Sequence, residues 1–88
     1  MDLKDFRQQI DKIDDEILLL FKKRMDVVRQ IASYKKEHDI PIKDASREQE
    51  KLAVIEEKAG EELLPYARTL YSTLLELSRM YQVSIHRG

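Results

Sequence analysis

Three cationic side chains lie on or beside a stripe of apolar residues in the first part of the chain. Arg24 occupies a position where the 3-4 spacing of that stripe requires an apolar side chain, and burial of an unpaired guanidinium costs several kcal/mol. Lys35 lies on the same helical face, about 16 Å further along the axis, and Arg7 flanks the stripe roughly 25 Å before Arg24. This pattern indicates a local site for an anionic ligand.

Each cation also has an ordinary structural interpretation. A polar residue inside an apolar stripe can fix the register of paired helices by bonding to a carboxylate of the partner, so periodicity alone leaves both interpretations of Arg24 open. Taken singly, Arg7 and Lys35 are typical of solvated charges whose long side chains reach water. The group of three, rather than any one member, favours a binding site.

Further polar residues occur later in the chain. Ser78 and Gln82 are one helical turn apart among apolar neighbours. A serine can bond to its own helix, whereas a buried Gln82 needs more partners than the backbone offers. Residues 44–48 are typical of a helix N-terminus with a capping acid, and Ser46 with Gln49 forms an alternative capping-box pattern.

The elements that must position these residues are predicted to be helices. The 88-residue chain contains only two prolines and two glycines, which leave three uninterrupted stretches of helix-forming composition, and no strand pattern competes. We expect one all-α domain over residues 1–88, with helices at about 3–37, 45–59 and 65–84.

The apolar stripe of the first helix, which we call the seam, predicts association with a second chain. It comprises Leu3, Phe6, Ile10, Ile13, Ile17, Leu20, Arg24, Val27, Ile31 and Tyr34. The helix would be about 50 Å long, whereas a compact chain of this size has a radius of gyration near 12 Å, so it cannot bury the seam by itself. The chain has no cysteine for a disulfide, and we expect an intertwined homodimer with antiparallel long helices. That arrangement would bring the partner's Arg7 beside Arg24.

Composition argues against several other classes of function. The formal net charge is −1, so no overall field favours nucleic acid or anionic lipid. The N-terminus lacks the pattern of a signal peptide, the aliphatic run at residues 17–21 is too short to span a bilayer, and cysteine is absent, so we expect a cytoplasmic protein. His38 and His86 are expected to be solvated, because no metal-ligand spacing accompanies them. Without a nucleophile, metal or cofactor motif, any catalysis must act by binding and electrostatics.

Taken together, the polar residues resemble the all-helical chorismate mutase family over essentially the whole chain. The matching positions are Arg7, Arg24, Lys35, Asp44-x-x-Arg47-Glu48 and Ser78-x-x-x-Gln82. Each short motif is weak alone, but eight residues in the family's order and separations are specific together. The resemblance implies an intertwined dimer of three-helix chains that rearranges chorismate to prephenate without a cofactor, a step toward phenylalanine and tyrosine.

The resemblance also implies a role for each residue. Arg24 and the partner's Arg7 would bind the two carboxylates of chorismate, with Ser78 assisting one of them. Lys35 and Gln82 would be the catalytic donors to the ether oxygen, on which charge builds as its bond breaks.

The remaining residues would complete the site around the ring. Asp44 and Glu48 would meet the ring hydroxyl and the edge of the substrate, Arg47 would orient these acids, and Ile31 would form an apolar wall. An isochorismate pyruvate-lyase of the same fold is the nearest alternative, although the intact Asp44-x-x-Arg47-Glu48 motif at the start of the second helix favours the mutase. A non-catalytic dimerisation module that binds an aromatic-pathway metabolite is the other alternative. The sequence leaves open whether the domain acts alone or within a fused enzyme.

Overall fold

The computed structural model of the chain describes residues 1–87 and contains three α-helices. Helix α1 spans Leu3–Glu37, α2 spans Ala45–Ala59 and α3 spans Leu64–Arg87. No strand occurs in the described part of the chain, so the predicted all-α class with three helices is confirmed. The third helix begins one residue earlier and ends three residues later than expected, and Gly88, the last residue of the expected domain, lies outside the described residues.

Acidic side chains cap the first two helices. Asp2 and Asp5 form a reciprocal capping box at the start of α1, with bonds of 3.0 and 3.1 Å. At α2, Asp44 is the N-cap, and its Oδ1 accepts a hydrogen bond of 3.0 Å from the backbone N–H of Arg47. Ser46 therefore lies inside the first turn, and the alternative capping box at Ser46 was wrong.

Helix α3 is the element that joins the other two. It packs against both α1 and α2, whereas the backbones of α1 and α2 do not approach each other within residues 1–87. Four side chains are buried at this junction: the apolar Val28 and Ala32 of α1 and the polar Ser78 and Gln82 of α3. Half of the most buried positions are therefore polar, which indicates a site rather than an ordinary core.

The N-terminal half of α1 extends away from the rest of the chain. Every residue from 1 to 20 is exposed, and the radius of gyration is 16.2 Å, against about 12 Å for a compact chain of this length. The large apolar side chains left open to solvent in this half are Leu3, Phe6, Ile10, Ile13, Ile17, Leu18, Leu19 and Leu20. A single chain therefore does not bury the first half of its own seam.

The end of α3 is attached to α1 by side-chain contacts. A ring nitrogen of His86, Nε2, lies 2.8 Å from the carbonyl oxygen of Ala32, and Lys36 Nζ lies 3.4 Å from the carbonyl oxygen of His86. His86 is half-buried, so the expectation that it is solvated was wrong, whereas His38 is exposed and stacks on Tyr34. Over the described residues, none of the helices combines the length and the apolar character needed to cross a membrane.

Candidate active site

A cavity of about 200 Å³ lies between the second half of α1, the start of α2 and the second half of α3. Its lining consists of Arg24, Val28, Ile31, Lys35, Ile42, Asp44, Arg47, Glu48, Lys51, Leu75, Ser78, Arg79 and Gln82. Eight of the nine residues predicted from the sequence to form a site are among them. All three helices contribute, so the fold brings together residues that are up to 58 positions apart in the sequence.

Arg24 reaches from α1 to α3. Its Nη1 donates a short hydrogen bond to Oγ of Ser78 and lies 3.5 Å from the carbonyl oxygen of Leu74. The Ser78 hydroxyl in turn donates to the same Leu74 oxygen at 2.8 Å, as a serine bonded to its own helix does. Among residues 1–87 no carboxylate lies within ion-pairing distance of Arg24, so within one chain its charge remains available to an anion.

Lys35 is positioned by the connection between α1 and α2. Its Nζ donates a hydrogen bond of 2.7 Å to the carbonyl oxygen of Ile42. The connection turns back toward the end of α1 because Asp39 adopts a left-handed φ of 54° and Ile40 donates its backbone N–H to the Lys35 carbonyl at 2.8 Å. An ammonium group has three donors, so this bond leaves two for a ligand.

Gln82 is the polar residue whose environment most directly suggests a ligand. Its side chain is only 6% exposed, and its Oε1 is buried with no hydrogen-bond partner in the described chain. Buried amide groups are nearly always paired, and an unpaired one costs about 1–3 kcal/mol. Because the two ends of an amide can exchange places, this position can offer either an acceptor or a donor to a molecule in the cavity.

The two acids of the site are held differently. Asp44 uses one carboxylate oxygen to cap α2, which leaves its second oxygen for other contacts. Glu48 forms a short ion pair with Arg79 of α3, and both side chains are partly buried. Glu48 therefore enters the site with its charge already paired.

The cavity carries a positive charge in a chain whose overall charge is slightly negative. Five cationic and two acidic side chains line it, which gives a formal charge of +3, compared with −1 for the whole chain. Walls with a net charge of one sign attract ligands of the opposite sign and raise their local concentration. The cavity thus suits a small molecule with more than one negative charge.

Two of the cations that line the cavity were missed at the level of sequence. Lys51 follows Arg47 by four residues and Glu48 by three, so helical periodicity offered a signal that it shares their face of α2. Arg79 precedes Gln82 by three residues, so the same periodicity offered a signal for its position on α3. Its ion pair with Glu48 offered none, because Glu48 lies on another helix and the packing of α2 on α3 sets their distance.

Arg7 is the one predicted site residue that does not line the cavity. It lies in the exposed first half of α1 and remains solvent-exposed in the single chain. This location agrees with the separation of roughly 25 Å from Arg24 along the helix axis. One chain alone therefore does not bring Arg7 to the other residues.

The helices and the cavity together define a three-helix domain whose cavity is lined mainly by cations among its charged residues. A family model described as chorismate mutase type II matches residues 6–83. The chain therefore belongs to the chorismate mutase type II family, and the resemblance seen in the sequence is confirmed.

Two curated relatives that match part of this chain are much longer proteins. The T-protein of Haemophilus influenzae is 44% identical over 46 residues, which cover 52% of this chain and 12% of that protein. The bifunctional chorismate mutase/prephenate dehydratase of Aquifex aeolicus is 39% identical over 49 residues, which cover 56% of this chain and 14% of that protein. The matched part is thus a small share of each relative's length. No solved structure matches the chain significantly.

Proposed function

We propose that this domain is a chorismate mutase, which rearranges chorismate to prephenate. The observation that carries the proposal is the convergence of eight predicted site residues on one cavity with a formal charge of +3. Membership of the chorismate mutase type II family and the name of the Aquifex relative support it. The expected location in the cytoplasm stays a prediction from the sequence.

The proposed binding contacts follow from the charges of the substrate. Chorismate carries two carboxylates, and a guanidinium binds a carboxylate through paired, charge-assisted hydrogen bonds. Arg24, already bonded to Ser78, would take one carboxylate together with that hydroxyl. Asp44 and Glu48 would meet the ring hydroxyl and the substrate edge, as the family resemblance implies.

The other walls of the cavity would fix the orientation of the substrate. Arg47 donates its backbone N–H to Asp44, so its own position is tied to that of the acid that it would orient. Ile31 is an apolar lining residue of α1 and would pack against the face of the substrate. Holding the reacting carbons together in this way removes much of the entropy cost of the rearrangement.

The chemical step needs donors rather than an acid, a base or a cofactor. In the rearrangement a carbon–oxygen bond of the ether breaks while a carbon–carbon bond forms within the same molecule, so atoms and electrons balance without a second reactant. Negative charge builds on the ether oxygen in the transition state, and fixed donors at that oxygen lower the barrier. Lys35 and Gln82 would be these donors. Both line the cavity, and the Lys35 ammonium keeps two unused donors. The Gln82 amide, whose Oε1 has no partner within residues 1–87, would turn so that its Nε2 donates to the ether oxygen.

We further propose that two chains form an intertwined homodimer in which the partner's Arg7 completes each site. The exposed first half of the seam supports this proposal, because solvation of so many large apolar side chains is unfavourable. An antiparallel second chain would cover that surface and would carry its own Arg7 toward Arg24. The second carboxylate of chorismate would then have an arginine of its own.

The decisive experiment is incubation of the purified chain with chorismate and, separately, with isochorismate. We expect chorismate to be consumed and prephenate to form. Release of pyruvate from isochorismate, with no prephenate from chorismate, would instead identify the pyruvate-lyase. Tight binding of chorismate without turnover would identify the non-catalytic module.

The shared site is tested by mixing two inactive variants. In a heterodimer of Arg7→Ala and Arg24→Ala chains, one of the two sites keeps both arginines. Random exchange of subunits should therefore restore about a quarter of wild-type activity, because half of the dimers are mixed and each mixed dimer has one intact site out of two. Mixed dimers that are verified by mass spectrometry and remain inactive would contradict the contribution of Arg7 in trans.

A further inference from the structure

Two ion pairs connect α2 to α3, and they differ in their relation to the cavity. Glu48 pairs with Arg79, and both residues line the cavity. Glu56 pairs with Arg68 at 2.6 Å, and neither residue lines the cavity. The two pairs join the same helices with the same residue types, so a comparison between them separates an effect on the site from an effect on helix packing.

A carboxylate at the position of Glu48 poses an electrostatic problem for the proposed function. The substrate is a dianion, and a like charge within a few ångströms in a partly buried site costs on the order of kilocalories per mole. The side chain of Glu48 is only 21% exposed, so water screens it weakly. Unpaired, it would oppose the binding that the surrounding cations favour.

Arg79 removes that problem in two ways. Its positive charge cancels the charge of Glu48 at the cavity wall, and its bond across the helix interface fixes the direction of the carboxylate. A carboxylate that is paired on one oxygen can still accept a hydrogen bond from a hydroxyl on the other.

We propose that Arg79 is a positioning residue of the active site: it holds Glu48 across the interface between α2 and α3 and neutralises it, so that Glu48 accepts from the substrate hydroxyl without repelling the substrate carboxylates. This inference rests on the proposed function. We assign Arg79 to Glu48 rather than to a substrate carboxylate because its charge is already paired with that of Glu48, whereas Arg24 has no carboxylate partner within residues 1–87.

The test is a double-mutant cycle that measures kcat and KM for chorismate. It uses Arg79→Met, Glu48→Gln and the double variant. Arg79→Met should raise KM about tenfold, because it leaves a partly buried carboxylate unpaired, and it should change kcat less than KM. In the Glu48→Gln background the same substitution should raise KM by less than about threefold, because no charge is left to neutralise.

Two further variants separate positioning from folding. Arg79→Lys keeps the charge and should recover most of the lost affinity. Arg68→Met breaks the other ion pair between the same helices and should leave both kcat and KM unchanged. Circular dichroism of each variant checks that the helices are intact.

Several outcomes would overturn the inference. If Arg79→Met has equal effects with and without Glu48, Arg79 acts on the substrate directly or through folding. If Arg68→Met raises KM as much as Arg79→Met does, the effect belongs to helix packing. Absence of chorismate turnover by the wild-type chain would contradict the proposed function and this inference together. If the wild-type chain turns chorismate over but the effects of Arg79→Met and Glu48→Gln on KM are additive, only the role of Arg79 is contradicted.

Discussion

The two halves of α1 share one apolar spacing but lie in different surroundings. In the first half, residues 1–20 are all exposed. In the second half, Val28 and Ala32 are buried against α3, and Arg24 and Lys35 line the cavity. The contrast shows that an apolar stripe identifies the face that a helix can bury. Whether that face is buried depends on the other helices and, as we propose, on a second chain.

The largest effect is expected in the second half of α1, at Lys35. Lys35→Ala removes a donor to the ether oxygen, and loss of one such donor typically lowers turnover about a hundredfold to a thousandfold. Lys36→Ala is the matched control, because Lys36 is exposed and does not line the cavity. Steady-state kinetics on chorismate provide the measurement. A near-normal kcat for Lys35→Ala would remove this residue from the mechanism.

The next effect is expected in the first half, where the proposed partner would cover the seam. Ile13→Asp places a charge at a seam position, and its burial in a dimer would cost several kcal/mol for the two copies. We expect monomers by sedimentation velocity at micromolar concentration, with loss of helicity and activity. Gln8→Asp adds the same charge to an exposed position on the face opposite the seam and should leave the dimer intact. A dimeric Ile13→Asp protein would show that the interface lies elsewhere.

A smaller effect is expected inside the junction between α1 and α3. Ala32 is 0% exposed, so Ala32→Leu forces extra carbon atoms into packed surroundings and should lower the free energy of unfolding by about 1–3 kcal/mol. The exposed Ala53 of α2 gives the control variant Ala53→Leu, which should be close to neutral. Chemical denaturation measures both. Equal free energies of unfolding for the Ala32→Leu and Ala53→Leu variants would contradict close packing around Ala32.

The smallest effect is expected away from both halves of α1, at Glu56. The hydrogen bond from Arg68 lowers the pKa of Glu56 below its usual value of 4.5. A lowered pKa in the folded state means that the pair stabilises the fold above about pH 4.5 and that this contribution disappears as the pH falls through the folded-state pKa. Glu56→Gln should therefore cause a small decrease in Tm at neutral pH that vanishes in acid. A difference in Tm that does not depend on pH would have another cause.

The sequence predicted the elements well because the breaks between helices are local features. Proline and glycine separate the helices, and the all-α class with three helices is confirmed. The last turn of α3 was not predicted, since the contact of His86 with the carbonyl oxygen of Ala32 joins residues of two helices. At α2 the sequence was compatible with two N-cap residues, Asp44 and Ser46. In the structure Asp44 is the N-cap, and its carboxylate accepts a hydrogen bond from the N–H of Arg47.

The site could be predicted where each residue has a recognisable place in its own helix. Arg24 and Gln82 were visible as polar residues at apolar positions, and both line the cavity. The ion pair of Arg79 with Glu48 was not visible, because it depends on how two helices pack. The roles of all site residues, including Arg7 in trans, stay predictions that the variants above test.

The bond between Lys35 and the Ile42 carbonyl has a consequence for how this domain can change during evolution. Surface connections usually tolerate insertions and deletions, because little depends on their length. Here the backbone of the connection between α1 and α2 is itself a contact of a site residue. A residue added or lost between Glu37 and Asp44 would shift that carbonyl and, with it, the lysine. We therefore expect the length of this connection to vary less among active relatives than that of the connection between α2 and α3.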